Sequence, residues 1–173
     1  IPTLPADCPP VFIVQHIPPH FSKAFADRLN QLSKLRVKEA EEGDKALPGH
    51  CYVAPGDFHM TLHWTGSIYT IALKKGPMVW HQRPAVDVLF DSAVAAGAAP
   101  TATAAVFTGM GRDGAEGLLK LKNAGAATFA QTEETCVVYG MPKACFELGA
   151  AQKMVALDAM SRELQLAFTK YQL

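Results

Sequence analysis

This chain of 173 residues has no net charge, no long apolar run, no paired-cysteine motif and no internal repeat. Sixteen basic residues balance sixteen acidic ones. The overall field therefore favours neither nucleic acid nor an anionic membrane as partner. No apolar run approaches the roughly 20 residues that span a bilayer, and no signal-peptide pattern opens the chain. Membrane insertion is not expected. The four cysteines, Cys8, Cys51, Cys136 and Cys145, form no C-x-x-C pair. They read as free thiols in a reducing compartment, which points to the cytoplasm. A metal motif is lacking too. His59 and His63 share a spacing that suits a metal on a helix. Met60, Leu62 and Trp64 alternate with them, so the segment reads as a strand with both histidines on its wet face. No metal and no cofactor is expected.

What is present is ordinary globular material. Hydrophobic residues make up 49% and charged residues 18%, enough apolar content for one substantial core. One domain over 1–173 is expected. Its first ten residues carry prolines at 2, 5, 9 and 10 and read as a linker. The chain opens on Ile1 rather than Met, and the expectation is a piece of a longer polypeptide.

The apolar pattern alternates between short runs and amphipathic stretches. Strands are expected at 11–15, 36–40, 50–54, 102–106, 127–131 and 154–157, each followed by a turn. Phe21, Phe25, Leu29 and Leu32 stand at helical spacing, as do Val86, Leu89, Phe90 and Val94, and later Met160, Leu164 and Phe168, the last helix capped by Asp158. Met60 to Trp64 and Ile68 to Leu73, joined by Thr65-Gly66-Ser67, predict an inserted β-hairpin. The fold class is α/β: a doubly wound, mainly parallel sheet with helices on both faces.

Two strand ends hold the candidate chemistry. Phe107–Gly114 is a turn with glycines at 109, 111 and 114, between the strand 102–106 and a helix that stops at Asn123-Ala124-Gly125. In open α/β sheets such turns lie at the carboxyl ends of strands, where ligands bind. Asp113 is its one acid. It reads either as the N-cap of the helix or as a working carboxylate. His16 ends the strand 11–15 ahead of Ile17-Pro18-Pro19. An aspartate bonded to imidazole Nδ1–H fixes the tautomer and leaves the other nitrogen to deprotonate a nucleophile. A third stretch, 76–83, offers Trp80 and Arg83 in a loop, either as substrate contacts or as ordinary surface packing.

Five blocks in one order now carry a resemblance. They are Val14-Gln15-His16-Ile17-Pro18-Pro19-His20-Phe21, the run Pro48–Met60, Arg83-Pro84-Ala85-Val86-Asp87-Val88-Leu89-Phe90, the turn Thr108–Gly114, and Tyr139-Gly140-Met141-Pro142. Together they resemble the catalytic domain of the bacterial chemotaxis protein-glutamate methylesterases, the CheB family, from about Pro10 to about Leu157. The resemblance implies hydrolysis of receptor glutamate γ-methyl esters and deamidation of receptor glutamines by a Ser-His-Asp triad. It implies His16 as base, Asp113 as orienting acid, and Met110 and Gly111 beside the oxyanion crevice. Trp80 and Arg83 become candidates for substrate binding. The implied partners are the cytoplasmic helices of methyl-accepting chemoreceptors and a regulatory receiver domain upstream in the same polypeptide.

One departure stands out. The family's nucleophile is a serine in a Gly-rich loop after the first strand, and no such loop occurs here. Ser22, Ser33, Ser67, Ser92 and Ser161 all lie elsewhere, with Ser22 read as a polar residue at a helix start. The expectation is that the first strand and the nucleophile loop lie before Ile1. The alternatives are a non-catalytic receptor-binding module, or a module whose Gly109–Gly114 turn cradles a phosphate. Asp113 and the glycine spacing weigh against the phosphate reading.

Overall fold

The computed structural model describes residues 1–169; residues 170–173 of the expected domain lie outside the described part. It contains two compact units, Ile1–Ser92 and Ala93–Leu173.

The first unit is built on β1 (Val11–Ile13), β2 (Arg36–Glu39) and β3 (His50–Val53), all parallel, in the order β1-β3-β2. Val11, Phe12 and Ile13 lie beside Cys51, Tyr52 and Val53. The β-branched and aromatic content of both strands suits this pairing. β1 is shorter than the expected 11–15. Its ladder closes where the Ala54 N–H donates to the Ile13 carbonyl at 2.9 Å, and β3 then breaks at Pro55-Gly56. Pro18 and Pro19 have no N–H with which to extend it. Helix α1 (Phe21–Leu32) packs on β2 and β3 and buries Ser22 and Ala26. The predicted hairpin is present: β4 (His59–Trp64) runs antiparallel to β5 (Tyr69–Lys74), with Met60 opposite Leu73 and Leu62 opposite Ile71. Helix α2 (Val86–Ala95) follows, and the boundary between the units falls inside it.

The second unit has β6 (Thr103–Val106), β7 (Ala127–Gln131) and β8 (Lys153–Val155), parallel, in the order β6-β7-β8. Side chains alternate along a strand. Ala105, Ala127 and Phe129 pack with Val155, Met160 and Ala167, the last two from helix α5 (Leu157–Thr169). Ala104, Val106, Thr128 and Ala130 therefore face the opposite way. There α3 (Ala115–Asn123) and α4 (Met141–Glu147) pack on β6, β7 and each other. Helices cover both faces of this sheet, as expected for an α/β chain. Gly125, at φ 102°, ends α3 in a conformation open to glycine. Asp158 lies inside the first turn of α5 rather than ahead of it. Cys136–Tyr139 forms a loop in which Val137 is almost fully exposed.

Candidate active site

The first of the two stations is the loop after β1. His16 is half-buried there, three residues past the end of the strand. Pro18 and Pro19 follow, and the Pro18 carbonyl accepts the Phe21 N–H at 3.3 Å. His20 sits at φ 75° as α1 begins, with no side-chain cap. The turn Pro55-Gly56-Asp57 stands against this loop. A Cβ on Gly56 would lie 2.6 Å from the Pro19 nitrogen and 2.8 Å from the Pro18 carbonyl carbon. Ser22 is the second residue of α1, at the helix start as expected. Its buried hydroxyl donates to the Glu39 carboxylate at 2.6 Å and accepts the Gly56 N–H at 2.9 Å.

The second station is the glycine turn after β6. Asp113 is buried, with 1% of its surface exposed. It is not the N-cap of α3: that position belongs to Gly114, in the left-handed region at φ 89°. The turn is tied to the loop ahead of α4. The Gly109 N–H donates to the Val138 carbonyl at 3.0 Å, and the Gly109 carbonyl accepts the Met141 N–H at 2.8 Å. Thr108 Oγ1 donates to the Val138 carbonyl and accepts its N–H. Gln131, fully buried at the end of β7, accepts the Thr108 N–H and donates to the Thr135 carbonyl. These bonds leave the Met110 side chain 84% exposed at the tip, beside the exposed Gly111. Asp113 and Glu116 put two acids at the start of α3, a poor setting for a phosphate.

The CheB methylesterase family profile matches residues 1–164. The chain belongs to that family.

Relatives agree over nearly the whole chain. A protein-glutamate methylesterase/protein-glutamine glutaminase of Burkholderia lata is 52% identical over 161 residues, 93% of this chain and 44% of that protein. Proteins of the same description from Syntrophus aciditrophicus (50% identical) and Escherichia coli K12 (48% identical) are matched over 93% of this chain and 47% and 46% of their own lengths. The chain thus spans about half the length of the curated relatives it matches. The crystal structure of the Thermotoga maritima CheB methylesterase catalytic domain superposes with a TM-score of 0.90 at 41% identity, covering 95% of this chain and 87% of that one.

Within this CheB-family chain the loop 76–85 is pinned from several sides. His59, expected to be solvent-exposed, is buried. Its Nε2–H donates to the Pro77 carbonyl at 2.8 Å, while Nδ1 accepts the Ala85 N–H at 3.3 Å. The loop folding over β4 is what buries it; His63, beyond the loop's reach, is exposed as expected. Arg83 donates through Nε to Asp57 at 2.9 Å and through Nη1 to the Gly76 carbonyl at 2.6 Å, and Nη2 also meets Asp57. Lys75 adds a second cation at 2.9 Å. Hydrogen bonds from Lys75 and then Arg83 hold the Asp57 carboxyl below the usual carboxylate range. Trp80 donates its indole N–H to buried Asp87 at 2.7 Å and keeps 40% of its surface exposed. Of the two substrate-contact candidates, Trp80 is therefore partly exposed, while the Arg83 fork is occupied by Asp57 and Gly76.

Among the described residues, no serine stands in a Gly-rich strand-to-helix turn. Ser92 donates to the Leu89 carbonyl and accepts the Leu62 N–H. Ser161 accepts from Gln165 inside α5. Ser67 is in the hairpin turn, and the Ser33 hydroxyl is buried just past α1. Cys8, Cys51 and Cys136 are poor substitutes. Burial pushes Cys51 up to about 12 and raises Cys8 and Cys136 as well, away from the thiolate that a nucleophile requires. The backbone partners Gln131, Ser22 and Gly56 were not singled out as site residues in the sequence. Gly56 lies in the motif block Pro48–Met60 and Ser22 just past the block Val14–Phe21, but no spacing in the sequence announces the bond between them.

Proposed function

We propose that this chain is the hydrolytic part of an enzyme that cleaves glutamate γ-methyl esters on bacterial chemoreceptors and deamidates receptor glutamines. One observation carries the reading. In a CheB-family chain, His16 and Asp113 each occupy the loop leaving the carboxyl end of a parallel edge strand, β1 and β6. Sheet ends of this kind are where α/β proteins bind ligands. The names of the relatives support the two reactions, ester and amide hydrolysis.

In this reading the nucleophile is a serine outside the 173 residues. His16 takes the proton of its hydroxyl as the oxygen attacks the ester carbonyl. Asp113 holds the imidazole in the required tautomer and stabilises the cation that forms. Backbone N–H groups at Met110 and Gly111 receive the oxyanion, a donor of this kind being worth about 3–4 kcal/mol. His16 then passes its proton to the departing methoxide, releasing methanol. Water enters, His16 removes a proton from it, and the acyl-serine is cleaved to glutamate. With glutamine the same steps release ammonia. Trp80 contributes an apolar face to the receptor helix, and Arg83 fixes the loop that presents it. The receptor's cytoplasmic helices and a receiver domain in the same polypeptide are the proposed partners, and the cytoplasm the proposed location.

The test is methanol release from methylated receptor by the protein carrying this chain, wild type against His16→Ala. Turnover should fall by about 10⁴-fold or more, with circular dichroism and Tm close to wild type. Turnover within a few-fold of wild type would remove His16 from the base role.

A further inference from the structure

His16 is followed, after Ile17, by two prolines. Pro18 and Pro19 offer no N–H groups, and the Pro18 carbonyl accepts the Phe21 N–H at the start of α1. Stiff dihedrals fix the course of such a loop but not its position. A wall against the prolines supplies position.

The wall is Gly56. It approaches Pro18 and Pro19 backbone to backbone, so closely that a methyl group would meet three main-chain atoms at 2.6–2.8 Å. Such atoms have no rotamer by which to yield. Gly56 is itself fixed on both sides. Upstream, the Ala54 N–H is bonded to the Ile13 carbonyl at the end of β1. Downstream, the Asp57 N–H donates to the Arg83 carbonyl at 3.1 Å, and its carboxylate takes Lys75 and Arg83. The Gly56 N–H has a buried partner in the Ser22 hydroxyl. That hydroxyl has a single proton and directs it to Glu39. The chain of donation therefore runs one way, from the Gly56 amide through Ser22 to the Glu39 carboxylate. A charged acceptor at its end strengthens the bond before it.

We propose that Gly56, held by Ser22 and Glu39, is the positioning element for His16. This rests on the reading of His16 as the base. Nothing in it requires Gly56, Ser22 or Glu39 to touch substrate. They set where the imidazole stands by bracing the two prolines behind it. A base displaced by about 1 Å loses on the order of 100-fold in rate.

The experiment compares Gly56→Ala, Ser22→Ala, Glu39→Ala and Glu39→Gln in the protein carrying this chain. Two readouts are taken: the His16 ring resonances by NMR, and kcat and KM for methanol release. Gly56→Ala should move the His16 ring signals and lower kcat by about 100-fold with KM nearly unchanged. Ser22→Ala and Glu39→Ala should do the same to a smaller degree. Glu39→Gln keeps an oxygen acceptor for the Ser22 hydroxyl and should restore most of the loss seen in Glu39→Ala. Wild-type ring signals and wild-type kcat in folded Gly56→Ala would overturn the proposal. Should Gly56→Ala fail to fold, Ser22→Ala carries the same test, and unmoved His16 signals there overturn it equally. The two claims fail separately. Retained turnover in His16→Ala refutes the base, whereas His16 signals that move in Gly56→Ala sustain the positioning whatever the base proves to be.

Discussion

The loop after β1 and the turn after β6 solve one problem by opposite means. Each must hold a polar side chain still at the end of a parallel strand. The first is built from prolines and carries His16 half-buried. Its two prolines offer no N–H, and the Gly56 backbone stands against them. The second is built from glycines and carries Asp113 fully buried. It is located by hydrogen bonds, with Gly109 joined to Val138 and Met141, and Thr108 to Val138 and Gln131. The difference suits the two proposed duties. A base needs a fixed ring. An oxyanion site needs backbone N–H groups aimed at one point, and glycine tolerates the bends that aim them.

The comparison can be broken most sharply at Gly140. A Cβ there would lie 2.7 Å from the Gly109 carbonyl oxygen and 3.0 Å from the Gly111 nitrogen. Gly140→Ala should therefore displace the amides of the turn. Methanol release should fall by about 10²–10³-fold, the loss typical of one oxyanion donor, while the His16 ring signals stay at wild-type positions. Gly56→Ala should do the reverse to the ring. If both variants moved the His16 signals alike, the two stations would not be independently held.

A smaller effect sharpens the account of how the first station is braced. Asp57 is held below its ordinary value by Lys75 and Arg83. Its contribution to stability is fully present above the unfolded value of about 3.9. It is lost as pH falls through the lower, folded value. Asp57→Asn should lower Tm modestly at pH 7, and the gap from wild type should close as the pH is taken below about 4. Thermal melts across that range check it; a gap that widens on acidification would contradict the ion-pair explanation.

Much of the architecture was legible from residue spacing. The alternation of short apolar runs with amphipathic stretches announced the parallel α/β arrangement, and Thr65-Gly66-Ser67 announced the hairpin, because periodicity and turn chemistry are local signals. What spacing did not show were bonds between distant parts. Ser22 reads as a helix-start polar residue until Gly56, 34 positions away, is seen donating to it. His59 reads as a wet-face histidine until the loop 76–85 is seen to cover it. Asp113 reads as a cap because an acid before a helix usually is one. Gly114, at positive φ, takes that place instead. The same long-range character explains why β1 ended two residues early: its length was set by β3, where Pro55 and Gly56 end the pairing.

The most direct test is a double-mutant cycle on His16→Ala and Asp113→Asn, read as methanol release per enzyme from methylated receptor. Groups that act as one unit give losses that do not multiply. The account predicts a double variant no slower than His16→Ala alone. Losses that multiply, or an Asp113→Asn enzyme as fast as wild type, would show that the carboxylate and the imidazole do not work together.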